Sequence, residues 1–225
     1  MTNRRRAGAP VALLLGLLFS GAAGQGQPGA LAITRLQYSG GGDWYADPSS
    51  LPNLIAFTSQ SAGIQMASEE RRATIGDNVF WQSSYFYLTG HGNIHFSEEQ
   101  AGLLRAQLLN GAFLHADDNY GMNEAFRREM KKVFPSKNWV ELGPDHPVFS
   151  ILFDLPDGLP KIHEHDNQRP QCLALFENDR ILVIYTYESD LGDGWEDINV
   201  HDVPQELRQA ALRMGANIIA FALSQ

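Results

Sequence analysis

Apolar residues in this chain fall into short strand-like runs, separated by loops and by longer segments with helical spacing. Apolar and β-branched residues predict strands at 30–38, 85–88, 112–115 and 139–142. A more polar extended segment at 64–75 is expected near an edge of the sheet. Residues 172–176 and 180–187 alternate around Asn178 and Asp179, a dipeptide typical of tight turns, and so predict an antiparallel hairpin.

Four segments have the spacing of amphipathic helices: 48–63, 97–111, 122–133 and 204–223. The second has the clearest signals, because Ser97 and Gln100 can form a capping box and Gly111 follows its last turn. Its buried stripe is predicted to consist of Ala101, Leu104, Leu108 and Leu109. Capping side chains are also expected at the start of the first and third helices, from Ser49 or Ser50 and from Asn123.

The alternation of strands and helices determines the expected fold class. Strands that alternate with helices form a mainly parallel sheet with helices on both faces, and the late hairpin adds strands that are antiparallel to one another. The chain has 225 residues, of which 44% are hydrophobic and 19% charged, which is typical of one globular domain. We therefore predict a single α/β domain over residues 33–224.

The first residues predict a secretory signal peptide. Three arginines precede the apolar run 11–19, and the small residues 20–24 supply a cleavage site. The expected organisation is a signal peptide at 1–24, a linker at 25–32 and export to the periplasm or the extracellular space. An uncleaved N-terminal anchor is the alternative, and the export route, general or twin-arginine, stays open.

The net charge limits the classes of partner, and the cysteine content excludes internal disulfides. Without the predicted leader, 14 Lys and Arg face 26 Asp and Glu, a net charge near −12. Such a surface repels nucleic acid and anionic lipid, so the expected partner is a small polar ligand or a protein, with no membrane contact after signal cleavage. Cys172 is the single cysteine, which excludes an internal disulfide.

Several long motifs resemble one bacterial family, the domain of unknown function numbered 4159. They are RLQYSGGGDWYADPSSLPNL, LTGHGNIHFSEEQ, LLNGAFLHADDNYGMNEAFRREMKKVFP, DHPVF, LPKIHEHD and YESDLGDGWED, and they span about 33–224. The resemblance implies a flavodoxin-like three-layer sandwich, similar in layout to class I glutamine amidotransferase-like and trehalose-utilisation-like domains. It supplies no activity.

The same resemblance implies that one reaction is excluded. Amidotransferases carry a nucleophilic cysteine on the turn after the strand that matches 112–115, where this chain has Ala116, Asp117 and Asp118. Cys172 lies in an alternating apolar strand, which is typical of a buried small residue. Cysteine-dependent glutamine hydrolysis is therefore not expected.

Polar loops follow the predicted strands, at the edge where open α/β sheets bind ligands. Candidate catalytic residues there are His91, His115, Asp117 and Glu188. Candidate substrate-binding residues are Gly41, Gly42, Asp43, Trp44, Tyr45, Gly92, Asn93, Asp118, Asn119, Tyr120, Asp190 and Trp195. Consecutive glycines permit close approach of the backbone to a ligand, and aromatic rings beside carboxylates suit sugars.

Two kinds of chemistry fit these residues. His163 and His165, two residues apart, are candidate ligands for a divalent metal that would activate water. Alternatively, the adjacent acids Asp117 and Asp118 could hold one proton between them and act without a metal. A third interpretation is local, with Asp118 or Asn119 capping the helix that begins near Asn123.

These observations leave two functions open. The first is hydrolase-like processing of a small polar or carbohydrate-like substrate, with or without a metal. The second is a non-catalytic domain that binds a ligand or a protein on an amidotransferase-like fold.

Overall fold

The computed structural model describes residues 30–165 and 167–225. The predicted signal peptide, linker residues 25–29 and Asp166 lie outside the described residues. In the described part, no helix is both long enough and apolar enough to cross a bilayer.

The described residues form a seven-stranded sheet that is mostly parallel. Its strands are β1 (Ile33–Gln37), β2 (Arg71–Thr74), β3 (Tyr85–Leu88), β4 (Phe113–Asp117), β5 (Val140–Glu141), β6 (Gln171–Glu177) and β7 (Arg180–Tyr187). The α-helices are α1 (Ser50–Ala62), α2 (Asn78–Trp81), α3 (Glu98–Leu109), α4 (Asn123–Val133), α5 (Leu191–Trp195) and α6 (Gln205–Ser224), and Pro147–Phe149 forms a 3-10 turn.

The strand order is β2-β1-β3-β4-β7-β6-β5. The five parallel strands, counted along the chain, therefore have the order 2-1-3-4-5, which is the flavodoxin-like order. β6 pairs antiparallel with β7, which is the predicted hairpin, and β5 continues the sheet antiparallel to β6. The predicted fold class, an α/β three-layer sandwich with a late antiparallel hairpin, is confirmed.

Two apolar cores lie on opposite faces of the sheet. One contains Leu104 of α3 and Phe126 of α4, and the other contains Leu54 of α1, Trp195 of α5 and Ile218 of α6. Side chains alternate between the faces along each strand. Asp117 therefore lies on the same face of β4 as Phe113, which packs in the core of α1, α5 and α6.

The predicted cap of α3 is confirmed, and its two partners are close in sequence. The capping box of α3 is present, with Ser97 accepting from the Gln100 amide at 3.1 Å. Leu109 was wrongly placed in the buried stripe and is 43% exposed. It is rotated about 100° from Leu108, which puts it outside the face defined by Ala101, Leu104 and Leu108.

Ser49 occupies the capping position of α1, as predicted, but its side chain makes no capping hydrogen bond, and the predicted cap of α4 was wrong. At α1, the amides of Ser49 and Ser50 donate to Glu196 at 2.8 and 3.1 Å, and the Ser49 hydroxyl instead accepts from the Asp197 amide. At α4, Met122 occupies the capping position, and Asn123 accepts from Arg127 one turn later, at 2.7 Å. At α1 a distant side chain thus replaces the local cap.

Two other boundaries differ from the prediction. β4 extends to Asp117, because Ala116 pairs with Leu88 and Asp117 with Thr186, so Asp117 ends a strand and does not begin a loop. Residues 191–195, expected as a loop, form the short helix α5.

We predict that Gly42→Ala lowers the free energy of unfolding by about 1–3 kcal/mol, the usual effect of overpacking. A Cβ at Gly42 would lie 2.6 Å from the His91 carbonyl oxygen and 2.7 Å from that of Asn93, and backbone atoms cannot move aside easily. Urea unfolding of the purified chain measures the change.

Gly102→Ala is the matched control, since a Cβ there meets nothing within 4 Å. Gly102 lies inside α3, so the alanine is expected to stabilise the chain by roughly 0.5–1 kcal/mol. Equal effects of the two substitutions would contradict the close contact of Gly42 with the His91 and Asn93 carbonyl oxygens.

Candidate functional site

The carboxyl ends of β1, β3, β4 and β7 meet at one edge of the sheet, because these strands are parallel and adjacent. The loops that follow them form a common rim. This is the edge at which open α/β sheets place their ligands. Most of the predicted site residues lie on this rim, in two separate groups.

The first group occupies the crevice between β1 and β3, and its loops pack against each other. The Gly42 amide donates to the Asn93 carbonyl at 2.9 Å, and the Asn93 side chain donates to the Gly40 carbonyl at 3.0 Å. Gly41 and Gly92 have φ of +94° and +78°, which only glycine adopts readily. These glycines and Asn93 therefore serve loop-to-loop packing.

His91 and Asp43 form an exposed pair within this first group. The Nδ1 atom of His91 lies 3.1 Å from the Asp43 carboxylate, which also accepts from the His91 amide. Burial alone would raise the pKa of Asp43, but these hydrogen bonds hold it below its ordinary value. The pair fixes one loop to the other.

The second group is built around Asp117, which is completely buried at the end of β4. Its carboxylate accepts from the Thr186 hydroxyl at 2.5 Å and from the amides of Leu191 and Gly192 at 3.3 and 2.7 Å. Burial raises its pKa to about 7, and these hydrogen bonds limit the rise. Asp117 thereby joins β4, β7 and the start of α5.

His115 lies behind Asp117 and is buried in the core, not on the rim. Its ring packs against Tyr87 and Trp195, and its Nε2 atom is 3.1 Å from the Thr186 hydroxyl oxygen. Burial lowers its pKa to about 3. Since Thr186 donates its one proton to Asp117, we infer that neutral His115 donates from Nε2 to Thr186.

Asp47 is held in the second group by residues from three strands. Arg35, buried on β1, donates to the carbonyls of Ala46 and Asp47 at 2.8 and 3.3 Å, which fixes the loop before α1. The Asn119 side chain donates to the Asp47 carboxylate and accepts from the Thr89 hydroxyl. Asn119 therefore joins two loops, and its hydrogen bonds do not cap α4.

Three histidines and two acids cluster beside Asp47. His165 Nε2 lies 3.1 Å from Asp190, and His163 Nδ1 lies 2.7 Å from Asp193. The other oxygen of Asp193 is 3.1 Å from His201 Nε2. Two sets have donor atoms within 4.8 Å of one another, His163 with His165 and Asp190, and Asp47 with Asp193 and His201.

The acids in this cluster lie close together, and their negative charges repel one another. Burial raises the pKa of Asp47 to about 6, and the charges of Asp193 and Glu196 act in the same direction. Burial likewise raises the pKa of Asp190, with further contributions from Asp193, Asp117 and Asp47. One oxygen of Asp190, Oδ1, is buried without a hydrogen-bond partner among the described residues.

Backbone strain is concentrated around the same residues. Seven non-glycine residues of the described chain have positive φ, and only Asn178 belongs to the hairpin turn. The others lie in or next to the second group: Asp47, Tyr120, Asn167, Glu188, Asp190 and Asp202. Such conformations cost of order 1–3 kcal/mol each and persist where the surroundings enforce them, which is common at functional sites.

An open cavity of about 320 Å³ lies at the ends of β4 and β7. Asp118 and Glu188 are 2% and 4% exposed and form its buried part, while Tyr120 is 45% exposed at its mouth. The Tyr120 ring stacks on His165 with centroids 4.5 Å apart. The cavity therefore adjoins the histidine cluster.

The remaining predicted aromatic residues do not line this cavity. Trp195 is fully buried, and its indole N–H donates to the Ala211 carbonyl of α6 at 2.8 Å. Trp44 packs partly on the core and meets Tyr45 edge-on, at 5.5 Å between centroids. The structure thus brings together Asp117, Asp118, Asn119, Tyr120, His163, His165, Glu188 and Asp190, and keeps His115 and Trp195 in the core.

Sequence analysis did not select Asp47, His201 or Glu196. Asp47 follows a predicted strand as Asp43 does, so its position was a usable signal. His201 lies in a segment without regular spacing between α5 and α6, and Glu196 acts through a contact with Ser49, 147 residues away. Neither contact leaves a local sequence pattern.

We predict that His115→Gln removes part of the acid sensitivity of this chain. The unfolded chain binds a proton at His115 below about pH 6.5, but the folded chain does so only near the lowered pKa of about 3. Stability is therefore lost as pH falls through this window. At pH 5 the loss is about 2 kcal/mol relative to pH 7.5.

Urea unfolding at pH 7.5, 6 and 5 measures how the free energy of unfolding of each chain depends on pH. His95→Gln is the control, because it removes one exposed imidazole. Identical pH dependence in the wild-type chain and in His115→Gln would show that His115 is not held neutral by its surroundings.

Comparisons with known proteins identify a family and leave the chemistry open. No curated protein matches the sequence. One family model, described as "Domain of unknown function (DUF4159)", matches residues 32–223, nearly all of the part that forms the sheet and its helices. The chain therefore belongs to the DUF4159 family.

Proposed function

We propose that this chain hydrolyses a glycosidic bond in a small carbohydrate-like substrate, bound in the cavity at the ends of β4 and β7. The observation that carries the proposal is the presence of two buried carboxylates, Asp118 and Glu188, in one open cavity. Hydrolysis of this bond needs two carboxyl groups with different protonation states.

The surroundings of the two carboxylates favour such a difference. Burial raises the pKa of Asp118, against hydrogen bonds from the Tyr185 hydroxyl and the Tyr120 amide, and the charge of Glu188 raises it further. Glu188 is paired with the Lys161 ammonium at 2.9 Å. We therefore assign proton donation to Asp118 and the role of base or nucleophile to Glu188.

The rest of the cavity suits a polyhydroxylated ligand. Tyr120 and Tyr187 line it with aromatic surface, and Asn123 and Glu124 add polar groups. Rings pack against the apolar faces of sugars, while carboxylates and amides bind hydroxyl groups. A volume of about 320 Å³ is at the lower end of the range of small-molecule sites.

The reaction assigns one role to each carboxyl group. Asp118 protonates the leaving oxygen as the bond between this oxygen and the anomeric carbon breaks. Glu188 either removes a proton from the attacking water or bonds to the anomeric carbon before water releases it. Water supplies the hydroxyl group and the proton that complete the two products.

A cysteine-dependent alternative receives no support from the structure. Cys172 is buried in β6, where burial raises the pKa of its thiol, so the reactive thiolate is strongly disfavoured. Backbone strain instead marks the loops that carry Asp118 and Glu188, since φ is +88° at Tyr120 and +56° at Glu188.

We predict that Asp118→Asn and Glu188→Gln each lower kcat/KM by about 10²–10⁴-fold, the usual contribution of one acid or base. The assay measures 4-nitrophenol release from a panel of 4-nitrophenyl hexosides and N-acetylhexosaminides. A further assay measures methanol release from the corresponding methyl glycosides.

The two leaving groups separate the proposed roles. Nitrophenolate leaves without much protonation, so Asp118→Asn is expected to lose far more activity on methyl glycosides than on nitrophenyl glycosides. Glu188→Gln should lose activity on both. A purely structural role for Asp118 would reduce both activities equally.

Asp154→Asn serves as the control, because Asp154 is exposed and lies outside the cavity. Circular dichroism and thermal unfolding confirm that each variant folds. A wild-type chain that binds saccharides, with binding lost in Tyr120→Ala, but that cleaves none of them would replace hydrolysis by a non-catalytic binding role.

A further inference from the structure

The cluster of histidines and acids beside the cavity has no part in the two-carboxylate reaction, and its composition is unusual. Three imidazoles, from His163, His165 and His201, meet the carboxylates of Asp190 and Asp193. Imidazole and carboxylate together are the ligands that divalent transition metals prefer, whereas calcium and magnesium prefer oxygen alone.

We propose that His163, His165 and Asp190 bind a divalent transition-metal ion, zinc or manganese. The proposal goes beyond glycoside hydrolysis and does not rest on it. Asp193 contacts the same nitrogen, His163 Nδ1, at 2.7 Å and contacts His201 at 3.1 Å. An ion bound at Nδ1 would therefore replace the contact between His163 and Asp193.

The distances fit one ion. Ligand atoms that each lie about 2.1 Å from a metal are at most about 4.2 Å apart. The Asp190 carboxylate oxygen is 3.1 Å from His165 Nε2 and 3.8 Å from His163 Nδ1. The ligand atoms of the two histidines lie within 4.8 Å of each other, so movements of under about 1 Å would place three ligands around one ion.

A second and independent observation is the unsatisfied oxygen of Asp190. The side chain is 2% exposed, and Oδ1 is buried without a hydrogen-bond partner among the described residues. A buried acceptor without a partner costs about 1–3 kcal/mol, and more when it is charged. The imidazoles contact the other oxygen, Oδ2, so a cation held by both oxygens of Asp190 would remove this cost. Such a cation would also reduce the repulsion among Asp190, Asp193 and Asp47.

The backbone supports the same assignment. Asp190 has φ of +58°, and the amides of Leu191 and Gly192 that follow it are held by Asp117. Gly192 is required there, because a Cβ would lie 2.5 Å from the Asp47 carboxylate. Asp190 is thus fixed from both sides in a strained conformation that keeps its carboxylate beside His165.

Metal uptake by the purified chain tests the proposal without any substrate. After treatment with a chelator and dialysis, the protein is titrated with ZnCl₂, MnCl₂ and CaCl₂ by calorimetry, and bound metal is counted by mass spectrometry. We expect one equivalent of zinc or manganese per chain, weak or absent calcium binding, and a rise in Tm when zinc or manganese is added.

Variants assign the ligands. His163→Ala/His165→Ala and Asp190→Asn should each weaken zinc binding at least tenfold and abolish the rise in Tm. His95→Ala is the control, since it removes an exposed histidine and leaves the cluster intact. Circular dichroism of the metal-free variants distinguishes loss of a ligand from loss of the fold.

Three results would overturn the proposal. They are no zinc or manganese uptake by the wild-type chain, unchanged affinity in His163→Ala/His165→Ala, and loss of binding in His201→Ala alone, which would place the ion at Asp47, Asp193 and His201. Glycosidase activity measured in the presence of the chelator keeps this outcome separate from the fate of the proposed reaction.

Discussion

The architecture of the rim depends on one buried carboxylate. Asp117 ends the central strand β4, and its oxygens accept hydrogen bonds from β7 and from the first amides of α5. A buried carboxylate without such donors would be strongly destabilising, and the amides of α5 would lose their partner in turn. Neither element can therefore adopt its conformation without the other, and Asp190 and Asp193 are carried by the segment that Asp117 fixes.

Crowding of like charges follows from this arrangement. Asp47 reaches the rim from the other side of β3, held by Arg35 and Asn119, and it faces the acids of α5. The sheet is rigid and the loops are tied to each other, so the acids cannot move apart to reduce their repulsion. Polar and charged residues at the ends of parallel strands thus produce an electrostatic strain that a cation, a proton or a cationic part of a ligand would relieve.

Features that depend on neighbouring residues along the chain could be predicted from the sequence. The capping box of Ser97 and Gln100, the hairpin at Asn178 and the burial of Cys172 each rest on a local pattern, and all three are present. The parallel sheet, and the edge at which its polar loops meet, followed from the order of the elements. The candidate acids could be predicted for the same reason, since each follows or ends a strand. They are Asp117, Asp118, Glu188 and Asp190.

Contacts between distant segments could not be predicted in this way. Glu196 caps α1, and His201 reaches Asp193 from an irregular segment. His115 and Trp195 resembled rim residues in sequence. β4 continues two residues beyond His115, and α5 packs closely on α6, so both residues lie in the core. The helix α5 was missed because its two glycines indicate a loop, whereas they are needed there to let Asp47 and Ala211 approach.

The stacking of Tyr120 on His165 joins two compartments that differ in chemistry. One face of the phenol ring belongs to the wall of the open cavity, and the ring as a whole lies 4.5 Å from an imidazole that also contacts Asp190. A ligand in the proposed cavity and an ion at the proposed metal site would therefore share this ring contact. If either one changed the affinity for the other, thermodynamic linkage requires the effect to be equal in both directions.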